Sequence, residues 1–223
     1  KRSRDVLVLV GATATGKSAV AVELALQLGG EILSADSRAF FEGLDVVTAK
    51  PSISERRGVA HHLLDCVPMD GEYDAMAFRA DVNRIVSAIH ARGRVPILAG
   101  GGTLYLAAVL RGLFEGPGKN AEFRQSLDDV ASDELHRRLA AVDPPAAAAI
   151  HPRDRLRIVR ALEVEAASGR PITSWKSDAV PLPFAFHVFG LERDRDDHRA
   201  AVAARARAML DAGLVEEVAR LRD

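Results

Sequence analysis

The stretch Gly11-Ala12-Thr13-Ala14-Thr15-Gly16-Lys17-Ser18 has the residue types and spacing to hold a phosphate. Its pattern is G-x-x-x-x-G-K-S. Gly11 and Gly16 let the backbone turn so that successive amide hydrogens face one anion. Lys17 adds a full positive charge, and the Ser18 hydroxyl is suited to ligate Mg2+. The loop follows the apolar run Val6-Leu7-Val8-Leu9-Val10 and leads into Ala19–Leu26, which reads as a helix. A helix N-terminus contributes partial positive charge to a bound anion. The chemistry expected is binding of a phosphate or diphosphate.

A second candidate lies further on. Glu31-Ile32-Leu33-Ser34 reads as a strand, and Asp36 and Ser37 fall just past its carboxyl end. Ligands in open α/β sheets bind along that edge. Asp36 is therefore a candidate general base or an organiser of Mg2+, with capping of the short turn 38–41 as its structural use. Val95-Pro96-Ile97-Leu98-Ala99 reads as another strand, followed by Gly100-Gly101-Gly102-Thr103. Motor-type ATPases usually place an acidic residue at such a strand end. Glycines stand there instead.

The elements that must position these groups alternate between strand and helix, which predicts a parallel α/β sheet of P-loop NTPase type covered by helices. Asp74 caps a helix with the apolar stripe Phe78, Val82, Ile85, Val86 and Ile89. Gly112, Gly116, Pro117 and Gly118 mark a boundary. Helices over 121–130, 134–142 and 155–167 follow, with no convincing strand before Pro183. Residues 185–191 then read as a strand returning to the sheet, with helices near 197–212 and 215–221. The domains expected are a core of residues 1–116 and 184–223 and a helical insertion of residues 117–183.

Composition narrows the class. The chain has 223 residues and a net charge of -1, which argues against nucleic-acid binding by bulk charge alone. The single cysteine, Cys66, forms no internal disulfide and points to a reducing compartment. No apolar run is long enough to span a membrane, so a cytoplasmic protein is expected. His61-His62 is a poor metal pair, because adjacent side chains diverge. Trp175 is available for packing or for stacking on a base.

Several further blocks keep order and spacing. They are Ser34-Ala35-Asp36-Ser37, Leu44-Asp45 with Thr48-Ala49-Lys50-Pro51, and Gly58-Val59-Ala60-His61-His62-Leu63. Later come Leu104-Tyr105-Leu106, His151-Pro152-Arg153-Asp154, 157–164, Gly169-Arg170-Pro171, and Met209 with 213–218. Together with the phosphate loop, they resemble the tRNA dimethylallyltransferases, also called isopentenyl-tRNA transferases. The resemblance implies transfer of a dimethylallyl group from dimethylallyl diphosphate to the exocyclic amine of the adenosine 3′ of the anticodon. It implies that Lys17 and Mg2+ at Ser18 stabilise the leaving diphosphate, and that Asp36 takes the proton of the amine. Thr13, Asp36 and Ser37 would meet substrate, and Arg195 would lie near the diphosphate. Arg153, Arg157 and Arg160 recur at helical spacing and are candidates for phosphates of the tRNA anticodon stem-loop, making the insertion the tRNA-binding part. A monomer is the expected state.

The chain departs from the family pattern at four places. Ala39 replaces a glutamine, Phe41 a tyrosine and Val47 a glycine. The threonine hydroxyl of the glycine loop belongs at position 102, whereas here it is Thr103. The family also continues past position 223 with arginine-rich helices that grip tRNA. A small-molecule kinase, prenyl transfer to a free adenine nucleotide and a non-catalytic relative remain as alternative readings.

Overall fold

A computed structural model describes residues 4–114 and 116–222. The elements run β1 (Asp5–Gly11), α1 (Lys17–Leu28), β2 (Gly30–Ser34), α2 (Ile53–Arg56), β3 (His61–His62), α3 (Ala75–Ala91), β4 (Val95–Gly100) and α4 (Thr103–Leu110). There follow α5 (Ala121–Ser126), α6 (Ser132–Val142), α7 (Pro144–Ala149), α8 (Arg155–Ser168), α9 (Ile172–Lys176), β5 (Ala185–Leu191), α10 (Arg195–Asp211) and α11 (Leu214–Arg220). Contacts divide the chain into two compact units, Lys1–Leu110 with Leu182–Asp223, and Arg111–Pro181.

The first unit is built on a parallel sheet of order β3-β2-β4-β1-β5. Inner strands of such a sheet are covered on both faces, so they read as continuous apolar runs. That is why Val6–Val10 and Val95–Ala99 stand out in the sequence. On one face, Val6, Val8, Leu33 and Leu98 pack against Phe78, Val82, Val86 and Ile89 of α3. The Phe40 ring closes this core, with centroids 5.0 Å from Tyr73, 5.4 Å from Phe78 and 5.2 Å from Tyr105. On the other face, Leu9, Ile32 and Ile97 pack against Ala21, Val22 and Ala25 of α1. The helix ends follow local chemistry. Asp74 accepts the Met76 and Ala77 amides, each at 2.9 Å, and Gly29 closes α1 at φ 63°.

The second unit is helical, with Leu135, Leu139, Ile158, Ala161 and Val164 at its centre. Two buried carboxylates organise it. Glu163 accepts from Arg124 at 2.7 and 2.8 Å, from Arg160 at 2.6 Å and from the Asn120 amide at 2.7 Å. The Arg124 bond chiefly holds its pKa down at about 2. Asp143 caps α7 at the Ala146 amide and binds the amide and hydroxyl of Thr173. The helix expected over 121–130 stops at Ser126, where the chain turns and Arg155 donates to the carbonyls of Leu127, Asp128 and Val130.

Candidate active site

The phosphate loop joins the carboxyl end of β1 to α1. Gly11 is forced by close approach, since a Cβ there would stand 2.5 Å from the Leu191 carbonyl oxygen. Gly16 sits at φ 91° and Ala14 at φ 60°, both left-handed. An alternation that includes such residues turns successive amides to one side and forms an anion nest. No side chain caps α1, so its first amides stay available to a ligand. The Lys17 ammonium is folded into the loop, donating to the Gly11 carbonyl at 2.9 Å and the Ala12 carbonyl at 2.6 Å. The Thr15 hydroxyl, buried beneath, also donates to Ala12 at 2.9 Å.

Three other segments reach this loop. Asp36 follows β2, and its Oδ1 accepts the Arg38 amide at 3.0 Å, so it does cap the turn. Among the described residues its second carboxylate oxygen has no hydrogen-bond partner. Its charge nevertheless acts on Lys17. The Lys17 pKa is lowered first by burial and then by Arg205 of α10, while Asp36 opposes both. The β4–α4 turn lies against β2. The Gly102 amide donates to the Ala35 carbonyl at 3.1 Å, and a Cβ on Gly102 would stand 2.8 Å from that oxygen. Thr103, the first residue of α4, is exposed. The third segment follows β5. Arg193 Nη2 lies 4.0 Å from where a Cβ on Gly16 would be, and His198 Nε2 donates to the Thr13 carbonyl at 2.8 Å.

Arg205 also donates to the Thr48 carbonyl at 3.0 Å. The 44–50 segment is fixed from a second side. Glu217 of α11, 1% exposed, accepts the amides of Asp45 at 2.9 Å, Val46 at 2.7 Å and Val47 at 2.9 Å. Burial alone would raise the Glu217 pKa, but the three amides outweigh it and the net shift is downward. Lys50 is enclosed by Asp45, Asp65 and the Phe41 carbonyl. Burial opposes its charge, yet the two carboxylates raise its pKa. A cleft of about 490 Å3 opens beside this segment, lined by Lys50, Pro51, Arg56, Arg205 and Met209.

A family model described as IPP transferase matches residues 39–223. The tRNA dimethylallyltransferase of Anaeromyxobacter dehalogenans strain 2CP-C is 46% identical over 221 residues, covering 96% of this chain and 74% of that protein. The chain belongs to this family. Two solved structures extend the likeness to three dimensions. The full-length tRNA isopentenylpyrophosphate transferase of Bacillus halodurans superposes with a TM-score of 0.68 at 32% identity, over 100% of this chain and 71% of that one. A eukaryotic dimethylallyltransferase acting on tRNA gives a TM-score of 0.82 at 26% identity, over 99% of this chain and 56% of that one.

In this IPP transferase chain, Gly11–Ser18, Asp36 and Ser37 all lie at the carboxyl edge of the sheet. Arg195 is exposed, and its side chain has no hydrogen-bond or ion-pair partner among the described residues; Arg193 lies by Gly16, and the charge of Arg205 acts on Lys17. Within the helical unit, Arg160 is committed to Glu163 and to the carbonyls of Pro117 and Gly118. Arg153 and Arg157 are exposed, with Arg157 beside Asp154. Sequence reading missed Arg205, His198 and Glu217. One signal was available: Arg205 lies seven residues after His198, so the two share a helical face.

Proposed function

We propose that this chain transfers a dimethylallyl group from dimethylallyl diphosphate to the exocyclic amine of the adenosine 3′ of the anticodon in tRNA. The observation that carries the reading is the shared field of Lys17 and Asp36. A cation is seated in the phosphate loop after β1, and a carboxylate just past the end of β2, with β4 between the two strands, favours its charged form. In the reaction, the amine nitrogen bonds to C1 of the dimethylallyl group as the carbon–oxygen bond breaks. The electron pair leaves with the diphosphate, and Asp36 accepts the amine proton. The loop amides, Lys17 and Arg205 offset the negative charge that builds on the leaving group, and Arg193 adds to the positive field over Gly16. Family membership supports this reading over the kinase alternative.

The residues fit Mg2+. The Ser18 hydroxyl is exposed and has no protein partner among the described residues. Mg2+ takes few protein ligands and completes its shell with substrate phosphates and water. Ser18 would hold it, and a bound ion would supply further charge neutralisation at the diphosphate. Arg153 and Arg157 are the exposed charges of the helical unit available to RNA phosphates. No helix among the described residues is long and apolar enough to cross a membrane.

The test is an incubation of labelled dimethylallyl diphosphate with bulk tRNA, AMP and ATP in separate reactions. Label is expected in tRNA, with diphosphate released. Label in AMP or ATP alone would move the acceptor to a free nucleotide, and label in none of them would refute prenyl transfer.

A further inference from the structure

The geometry points to His198 as a positioning residue of the phosphate loop, acting through the Thr13 carbonyl to aim the Ala14 amide at the donor diphosphate. The inference rests on the anion-binding role given to the loop above. His198 is in the first turn of α10, half-buried, with Nε2 2.8 Å from the Thr13 carbonyl oxygen. A carbonyl only accepts, so the proton of this bond is on Nε2. No peptide bond among the described residues is cis. In a trans peptide the carbonyl of one residue and the amide hydrogen of the next point in opposite directions. Holding the Thr13 carbonyl on the α10 side therefore turns the Ala14 N–H to the other side, with the amides of the nest.

Ala14 gives this bond something to do. Its φ of 60° is left-handed, a region that alanine enters only at a cost, since a Cβ crowds the following carbonyl. Such a residue stays in place only if its neighbours hold it. On the amino side, Lys17 and Thr15 hold the Gly11 and Ala12 carbonyls. Those bonds stop one residue short of the strained peptide. His198 is the side chain that grips the Thr13–Ala14 peptide itself. Two turns later on the same face is Arg205, whose charge acts on Lys17. One face of α10 thus supplies both a charge toward the loop and a bond that shapes it.

The experiment titrates inorganic diphosphate into the parent chain and into His198→Ala, His198→Gln and Lys17→Ala by calorimetry, with thermal melting alongside. Glutamine carries an amide N–H at about the reach of Nε2. His198→Ala is expected to weaken binding about five- to tenfold, the loss of one hydrogen bond's net contribution. His198→Gln is expected to stay within about twofold of the parent, with both variants melting near it. Parent-like affinity in His198→Ala would overturn the inference, and so would a glutamine variant as weak as alanine. If the parent itself shows no diphosphate binding, and Lys17→Ala makes no difference, the reading of the loop falls and this inference with it.

Discussion

Replacing Glu217 by glutamine tests whether the 44–50 segment is held from α11. The carboxylate accepts amides at 2.9, 2.7 and 2.9 Å, two on one oxygen and one on the other. Glutamine keeps one acceptor oxygen. Its NH2 group must then face an N–H, leaving at least one buried donor unpaired at about 1–3 kcal/mol, while the remaining bonds lose their charge assistance at about 1 kcal/mol each. Relief of burying a charge offsets part of this. A net loss of about 2–4 kcal/mol is expected, a large fraction of a typical domain's stability. Urea denaturation at neutral pH measures it. The pH dependence gives an independent check. The folded pKa of Glu217 lies below its ordinary value of 4.5. Its contribution is therefore complete above the unfolded pKa and is lost as pH falls through the folded one. The gap between parent and variant should be constant from about pH 6 to 8 and should shrink on acidification below about pH 4. Because Arg205 donates to the Thr48 carbonyl in the same segment, the variant should also bind diphosphate more weakly. Equal stability at neutral pH, or a gap that persists unchanged in acid, would refute the reasoning.

Lys17→Met should weaken diphosphate binding by roughly 100-fold, since one close charge pair at an effective dielectric near 20 is worth a few kcal/mol. Unchanged affinity by calorimetry would remove the loop as the site. In the parent, the lowered Lys17 pKa means that binding should fade on the alkaline side sooner than an ordinary lysine would allow. Asp36→Asn should cut transfer by about 100-fold or more while donor affinity stays within about threefold, as expected for loss of a general base. A labelled-prenyl assay showing full activity would exclude that role. Gly102→Thr should cost about 1–3 kcal/mol without raising the rate, because its Cβ would meet the Ala35 carbonyl at 2.8 Å. A faster enzyme would mean that the turn moves freely.

The core was legible where local and global demands coincide. The strand over 95–99 and the stripe Phe78–Ile89 announce themselves because buried parallel strands and one-sided helices leave clear apolar patterns. The phosphate loop was legible because its glycines meet backbone needs that other residues meet poorly. Elements made by partners were harder to see. The β3 pair His61–His62 forms an edge strand through pairing with Ile32 and Leu33, and His62 is bonded to the buried Glu31. Helix α7 opens on Pro144 and Pro145 and is capped by Asp143, and it was not among the expected helices. The site divided in the same way. Asp36 was visible from its strand end. Arg205 and His198 were not, because α10 has no buried residues and its role is set by what lies across from it. Arg160 reads two ways in the sequence: its Glu163 partner sits three residues on, a spacing that predicts internal pairing as readily as an RNA contact.

The place of β5 has a consequence for biosynthesis. It pairs along the whole of β1, Asp5 against Ala185 through Gly11 against Leu191, although the helical unit separates the two in sequence. A ribosome therefore delivers the phosphate loop early and its flanking strand, with Arg193, His198 and Arg205, only near the end of this stretch. Until then the nascent β1 has an open edge, which invites wrong partners. Competence to grip a diphosphate arises only after the helical unit has been made, when the returning strand seals that edge.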